Sequence, residues 1–171
     1  MTRKTSIAVA LAAVLAVPAL ILLMAYRLAG EGAGLRPGQE LPAAHLVCLD
    51  GHVVDTRSWR GAPTLLVLYR STCHACEREI VGLSLAASSL PELRIVLLAL
   101  DSAAPGVPTE FPVITDPTGK FLKIVRKIMV PTLYLLNSEG RVIYVRSGQR
   151  PPESELATLT DLLGPDRGSG H

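Results

Sequence analysis

The sequence predicts an α/β fold: a mixed β-sheet flanked by helices, with an N-terminal hairpin and one N-terminal transmembrane helix. Three observations lead there. A continuous apolar run, Thr64 to Tyr69, and a second apolar stretch, Leu93 to Leu100, read as strands buried in a parallel sheet, and a helix-like stretch joins them. Arg141 to Arg146 reads as an alternating strand, which predicts an antiparallel partner. At the N-terminus, Thr5 to Tyr26 carries no charged residue and is rich in Ala, Leu, Val and Ile, with Arg3-Lys4 before it and Arg27 after it.

A helix over residues 5–26 spans about 33 Å, against a hydrocarbon core of about 30 Å. Pro18 inside it is tolerable in a membrane, where neighbouring groups satisfy the freed carbonyl. A cleaved signal peptide is the competing reading, with small residues at Leu28-Ala29-Gly30. The run exceeds the usual ~7–15 residue signal core, which favours a retained anchor. Positive-inside logic leaves the N-terminus cytoplasmic and everything after Tyr26 outside. The expected organisation is residues 1–27 as cytoplasmic N-terminus and anchor, 28–38 as a Gly-rich tether, 39–164 as one folded domain and 165–171 as a polar tail.

Within the domain, Asp50-Gly51 separates His45 to Leu49 from Val53-Val54 and predicts a hairpin, after which Trp59 falls in a short turn or helix. The helix after Tyr69 runs to about Leu90, where Pro91 closes it. After a loop from Asp101 to Pro112 come Val113 to Thr115, then Asp116-Pro117 as a helix-start signal and a helix to about Lys127. Thr132 to Leu136 and Arg141 to Arg146 flank the turn Asn137 to Gly140. Glu153 to Leu163 closes the fold, its Leu156, Leu159 and Leu163 forming a packing stripe.

The chain has 171 residues and a net charge of +2, with no basic run longer than a pair, so nothing suggests nucleic acid. Its chemistry concentrates at Cys73-His74-Ala75-Cys76, where the first buried strand gives way to a helix. A disulfide this short closes so small a loop that its entropic stabilisation is only about 2 kcal/mol, which marks the pair as chemical rather than structural. With Cys73 at the first helical turn, unsatisfied amide N–H groups and the macrodipole favour its thiolate; Cys76, one turn in, is the shielded resolving thiol. His74 could add charge beside Cys73, a role the sequence leaves open. Half a zinc site is the alternative. No second C-x-x-C or H-x-x-x-H exists, so neither a metal nor a cofactor is expected. The third thiol, Cys48, is read as a small apolar strand filler, with a mixed-disulfide or metal role as the alternative.

Taken together, Leu41-Pro42 to Asp50-Gly51, Arg60-Gly61-Ala62-Pro63, Cys73-x-x-Cys76, Val130-Pro131-Thr132 and Asn137-x-x-Gly140 resemble the thioredoxin superfamily. More narrowly, they resemble its membrane-anchored TlpA/ResA-like thiol–disulfide oxidoreductases, with maturation proteins of the MauD type close by. The resemblance covers about Gly38 to Gly164. It implies that Cys73 attacks, Cys76 resolves and Pro131 is a cis-proline facing the disulfide, leaving the backbone of Val130 to pair with an extended client chain. It also implies that Glu79, three residues beyond Cys76, tunes the thiols; a solvated surface across Glu77-Arg78-Glu79 is the competing reading. The implied partners are disulfide-bearing client proteins and a membrane or periplasmic thiol donor, with the bilayer engaged through residues 5–26 of a single-pass protein of the bacterial inner membrane. Apocytochrome c is a frequent client of the family.

The chain departs from the family at Thr72, where a tryptophan is usual, at Ala75, where a proline is common, and at Val67, where thioredoxin buries an aspartate. Two other activities compete. A thiol peroxidase needs a threonine three residues before its cysteine, which Arg70-Ser71-Thr72 does not supply. A copper-delivery module of the Sco type needs cysteines one residue further apart and a distant histidine, and no histidine lies between His74 and His171.

Overall fold

The structure is a computed structural model that describes residues 16–18, 20–22, 24, 34–125 and 129–164. The chain divides into two units, residues 1–34 and 35–171. In the first, residues 16–18, 20–22 and 24 are helical, and the rest of the anchor expected over 5–26 lies outside the described residues. Among the described residues no helix is long and apolar enough to cross a membrane. The polar tail at 165–171 is likewise outside them.

The second unit begins at Leu35, inside the stretch expected as a tether. Leu35 is buried, and the Gly38 N–H reaches Val142 O at 2.7 Å. Its strands are β1 (His45–Cys48), β2 (Val53–Asp55), β3 (Thr64–Tyr69), β4 (Arg94–Ala99), β5 (Val113–Thr115), β6 (Thr132–Leu136) and β7 (Val142–Ser147). Its helices are α1 (His74–Ser89), α2 (Lys120–Val125) and α3 (Pro152–Leu163), and a 3-10 turn covers Thr56–Trp59. The strands form one seven-stranded sheet in the order β2-β1-β5-β4-β3-β6-β7. β3 pairs parallel to β4, and β4 to β5; the other neighbours are antiparallel, so the sheet is mixed as expected.

Alternation on the central strands divides the core between the two faces. Leu65, Val67 and Tyr69, with Ile95, Leu97, Leu133 and Leu135, pack beneath Ile80, Leu83, Ala86 and Leu159 of α1 and α3. The intervening Leu66, Leu68, Val96, Leu98, Tyr134 and Leu136 pack against Trp59, Phe121 and Val125 on the other side. All of β3 is buried, which is why its sequence is apolar without interruption. In the β1–β2 hairpin the turn places Gly51 at φ 91°, a conformation that favours glycine.

Two features depart from expectation by more than a residue or two. The helix signalled by Asp116-Pro117 starts only at Lys120. Asp116 uses one oxygen on the Thr118 N–H and hydroxyl and the other on the Leu122 N–H, which makes residues 116–119 a turn ahead of the helix. The end of that helix, expected near Lys127, falls at residues outside the description. β7 does not alternate cleanly, because a register shift between Leu135 and Leu136 interrupts its pairing with β6.

Candidate active site

The site forms where β3 and β4 end level with one another, Tyr69 opposite Ala99. Beyond those ends the backbone must turn, and side chains from the neighbouring strand hold it. Asp101 accepts from the Ser71 N–H at 2.9 Å and the Ser71 hydroxyl at 2.8 Å. Burial acts against the Asp101 carboxylate, yet the Ser71 hydrogen bonds prevail and hold it below the usual range. The Tyr69 hydroxyl donates to Ala103 O at 2.6 Å, fixing the loop after β4 over the end of β3. Burial, with Asp101 adding to it, pushes that phenol up to about 12.

This turn delivers Cys73 to the N-cap of α1, where its Sγ accepts the Cys76 N–H at 3.1 Å. Cys73 and Cys76 are joined as a disulfide with Cα atoms 5.2 Å apart. Cys73 is half-buried, whereas Cys76 is 1% exposed within the core between α1 and the sheet. Cys73 is therefore the more exposed of the two and Cys76 the shielded one. Ala75, between them, is half-buried.

The Val130–Pro131 peptide bond is cis. Thr132 opens β6 and secures this corner, its hydroxyl bonding Met129 O at 2.7 Å and Ser147 Oγ at 2.8 Å, while the Gly148 N–H reaches Pro131 O at 2.8 Å. Val130 precedes the ladder, and with Cys73 and Val107 it packs against the core cluster that contains Cys76. The loop after β4 and the corner before β6 thus pack against the same core cluster as the dithiol.

The remaining expected residues take different positions. His74 is exposed and pairs its Nδ1 with Glu77 Oε2 at 3.0 Å, so its ring serves Glu77. The Glu77 carboxylate lies against Gly106, where a Cβ would collide with Oε1. Glu79, for which a solvated surface was the competing reading, is 4% exposed. Arg146 Nη2 donates to its Oε1 at 2.5 Å, and the Arg150 N–H approaches its Oε2 at 3.4 Å. Cys48 lies half-buried in β1, and burial, with Asp50 adding, pushes its thiol up. Among the described residues no group of three His, Cys, Asp or Glu could hold a metal ion.

Sequence reasoning missed two residues, Arg146 and Glu155. Arg146, 6% exposed, lies between Glu79 of α1 and Glu155 of α3, with its Nε 2.8 Å from Glu155 Oε2 and its Nη1 on Gly148 O. The Nε approach is not aligned as a hydrogen bond, so it acts as a charge contact. Burial drives the Glu155 carboxyl upward; Arg146 opposes this and Glu79 reinforces it. The available sequence signals were slight: an arginine on a strand that otherwise packs, and a glutamate four residues before the buried Leu159.

Comparison with known proteins agrees with this architecture. The Redoxin family model matches residues 36–163. The chain is 24% identical over 125 residues to the thiol-disulfide oxidoreductase ResA of Bacillus thuringiensis subsp. konkukian, covering 68% of this chain and 72% of that protein, and equally so to its Bacillus cereus counterpart. Among solved structures it is similar to a putative thiol:disulfide interchange protein DsbE from Chlorobium tepidum, with a TM-score of 0.68 and 24% identity over 77% of this chain and all of that one. StoA from Bacillus subtilis superposes with a TM-score of 0.56 and 20% identity, over 68% of this chain and 96% of that one. The solved structures share the fold, and the family model covers residues 36–163, around the dithiol: the chain belongs to the Redoxin family.

Proposed function

We propose that the protein is a thiol–disulfide oxidoreductase that reduces or exchanges disulfides of client proteins outside the cytoplasm, tethered to the bacterial inner membrane by residues 5–26. The observation that carries this reading is the bonded Cys73–Cys76 pair at the N-terminus of a sixteen-residue helix, with Cys73 half-buried and Cys76 buried. The names of the ResA relatives point to the same chemistry.

In the reduced protein the Cys73 thiolate attacks a client disulfide. One client sulfur leaves as thiolate and a mixed disulfide forms on Cys73. Cys76 then loses its proton to water and attacks Cys73 Sγ, which releases the second client sulfur and closes the Cys73–Cys76 bond. Two electrons pass to the client, and a membrane or periplasmic protein dithiol returns them. The N-cap position favours Cys73 as the attacker, because its sulfur already accepts an α1 amide. Glu79, one turn beyond Cys76, disfavours a second negative charge nearby and so tunes the resolving thiol. Met129 is exposed, and Val130 stands before the β6 ladder beside the cis bond, a position from which its backbone can pair with an extended client. Apocytochrome c before haem attachment is one client that fits this chemistry.

Trapping tests the reading. In cells carrying the Cys76→Ala variant, clients are expected to accumulate on Cys73 as covalent adducts that a reductant releases. Absence of such adducts while the variant is folded and present would sink the exchange mechanism.

A further inference from the structure

The group of charges behind the dithiol is the most unusual feature of the domain. Glu79, Arg146 and Glu155 come from α1, β7 and α3, and each is at most 6% exposed. Replacing such a buried group by apolar side chains is often neutral or stabilising, so fold stability is a weak reason for it. Its placement suggests another. Cys76, Glu79, Ile80 and Leu83 form the buried stripe of α1, and residues three apart on a helix are surface neighbours, with Cβ atoms about 5–6 Å apart. The carboxylate therefore belongs to the surroundings of the resolving sulfur.

We propose that Arg146 is a positioning residue for the dithiol: clamped by Glu155 and the Gly148 carbonyl, it holds the Glu79 carboxylate one turn beyond Cys76 and offsets the charge that carboxylate presents to the sulfur. This rests on the exchange chemistry proposed above. When Cys76 becomes a thiolate to resolve the mixed disulfide, negative charge develops beside a carboxylate. A guanidinium paired with Glu79 limits the repulsion. The fork geometry explains the choice of arginine, since one guanidinium reaches two carboxylates on different helices and a carbonyl at once. Other charged or titratable groups face the same space. Tyr144 lies on the same strand, and Arg150 follows it, with its N–H on Glu79 and its side chain 3.4 Å from the Tyr144 hydroxyl. Burial pushes the Tyr144 phenol up, Glu155 adds to this, and Arg150 and Arg146 oppose it.

The test is the titration of Cys76 in the full chain carrying Cys73→Ser, followed by thiolate ultraviolet absorbance against pH. Adding Arg146→Gln is expected to move the Cys76 midpoint upward by about one pH unit, as removal of a nearby positive charge should. In a Glu79→Gln background the same substitution is expected to move it by less than half as much. A folded Arg146→Gln variant that titrates like its parent overturns the proposal, and so does an equal shift with and without Glu79. Should Arg146→Gln fail to fold, Arg146→Lys keeps the charge and loses the fork; a smaller upward shift is expected, and an unchanged midpoint overturns the proposal. None of these titrations needs a client. Failure of the exchange reading therefore registers separately, as absent trapped adducts.

Discussion

Asp101 secures the turn that carries Cys73 to the start of α1. Through Ser71 it ties the turn before Cys73 to the end of β4. Asp101→Ala should cost about 1 kcal/mol or less, because the carboxylate is exposed. The pH dependence gives the sharper signature. The folded carboxyl sits below its ordinary range, so its contribution is fully present above the unfolded value and is lost as pH falls through the folded one. Urea unfolding over an acidic pH series should show wild type losing stability through that window more steeply than Asp101→Ala; parallel curves would refute the tie. The dithiol itself was legible as residues, since its spacing and its place after a buried strand follow from local pattern alone. Glu79 was not separable from Glu77 in the same way. Two carboxylates two positions apart lie on different sides of a helix, and only the packed position of α1 determines which one is buried. Arg146 and Glu155 were illegible for a related reason: each is tolerable in the core only because the others are there, and partners on three elements leave no local pattern.

Where α1 crosses α3, a glycine makes the contact possible. A Cβ on Gly82 would stand 2.8 Å from Pro152 Cγ and 3.2 Å from its Cβ, in a ring that cannot swing away. Gly82→Ala gains about 1 kcal/mol of helix propensity, while overpacking a fixed contact costs about 1–3 kcal/mol. A net loss of about 1 kcal/mol is expected in chemical denaturation, and a stabilised variant would mean that the helices separate freely. The loop that bears Arg150 leads into Pro152, so the same substitution should also disturb the Arg150 N–H at Glu79. Elements were the best-read level of the sequence. The two apolar stretches became β3 and β4, and the hairpin, the dithiol helix and the closing helix appeared within a few residues of expectation. The error on β7 has a definite cause. Its register shift against β6 places Val142 on the face of α2 but Ile143, Tyr144 and Arg146 towards α1 and α3, so a strict period of two could not place Arg146.

At the scale of the whole domain, the sheet separates two apolar layers, and the layer beneath α1 and α3 holds the dithiol and the Glu79–Arg146–Glu155 cluster. That asymmetry implies a cost in stability that the chemistry must justify, and the cost is measurable. Removing Arg146 alone, as Arg146→Met, leaves two buried carboxylates without their counter-charge and should lose about 3–5 kcal/mol. Removing all three charges together, as Glu79→Leu, Arg146→Met and Glu155→Leu, should recover that loss and leave a protein at least as stable as the parent. The pH profile provides an independent reading. Burial raises the folded Glu155 carboxyl above its unfolded value, so the folded state holds the extra proton, and stability declines as pH rises from the ordinary carboxyl range to the folded value. In the triple variant, which lacks Glu155, this decline should vanish. A triple variant as unstable as Arg146→Met would instead make the charges part of the scaffold, with no need of the dithiol to explain them.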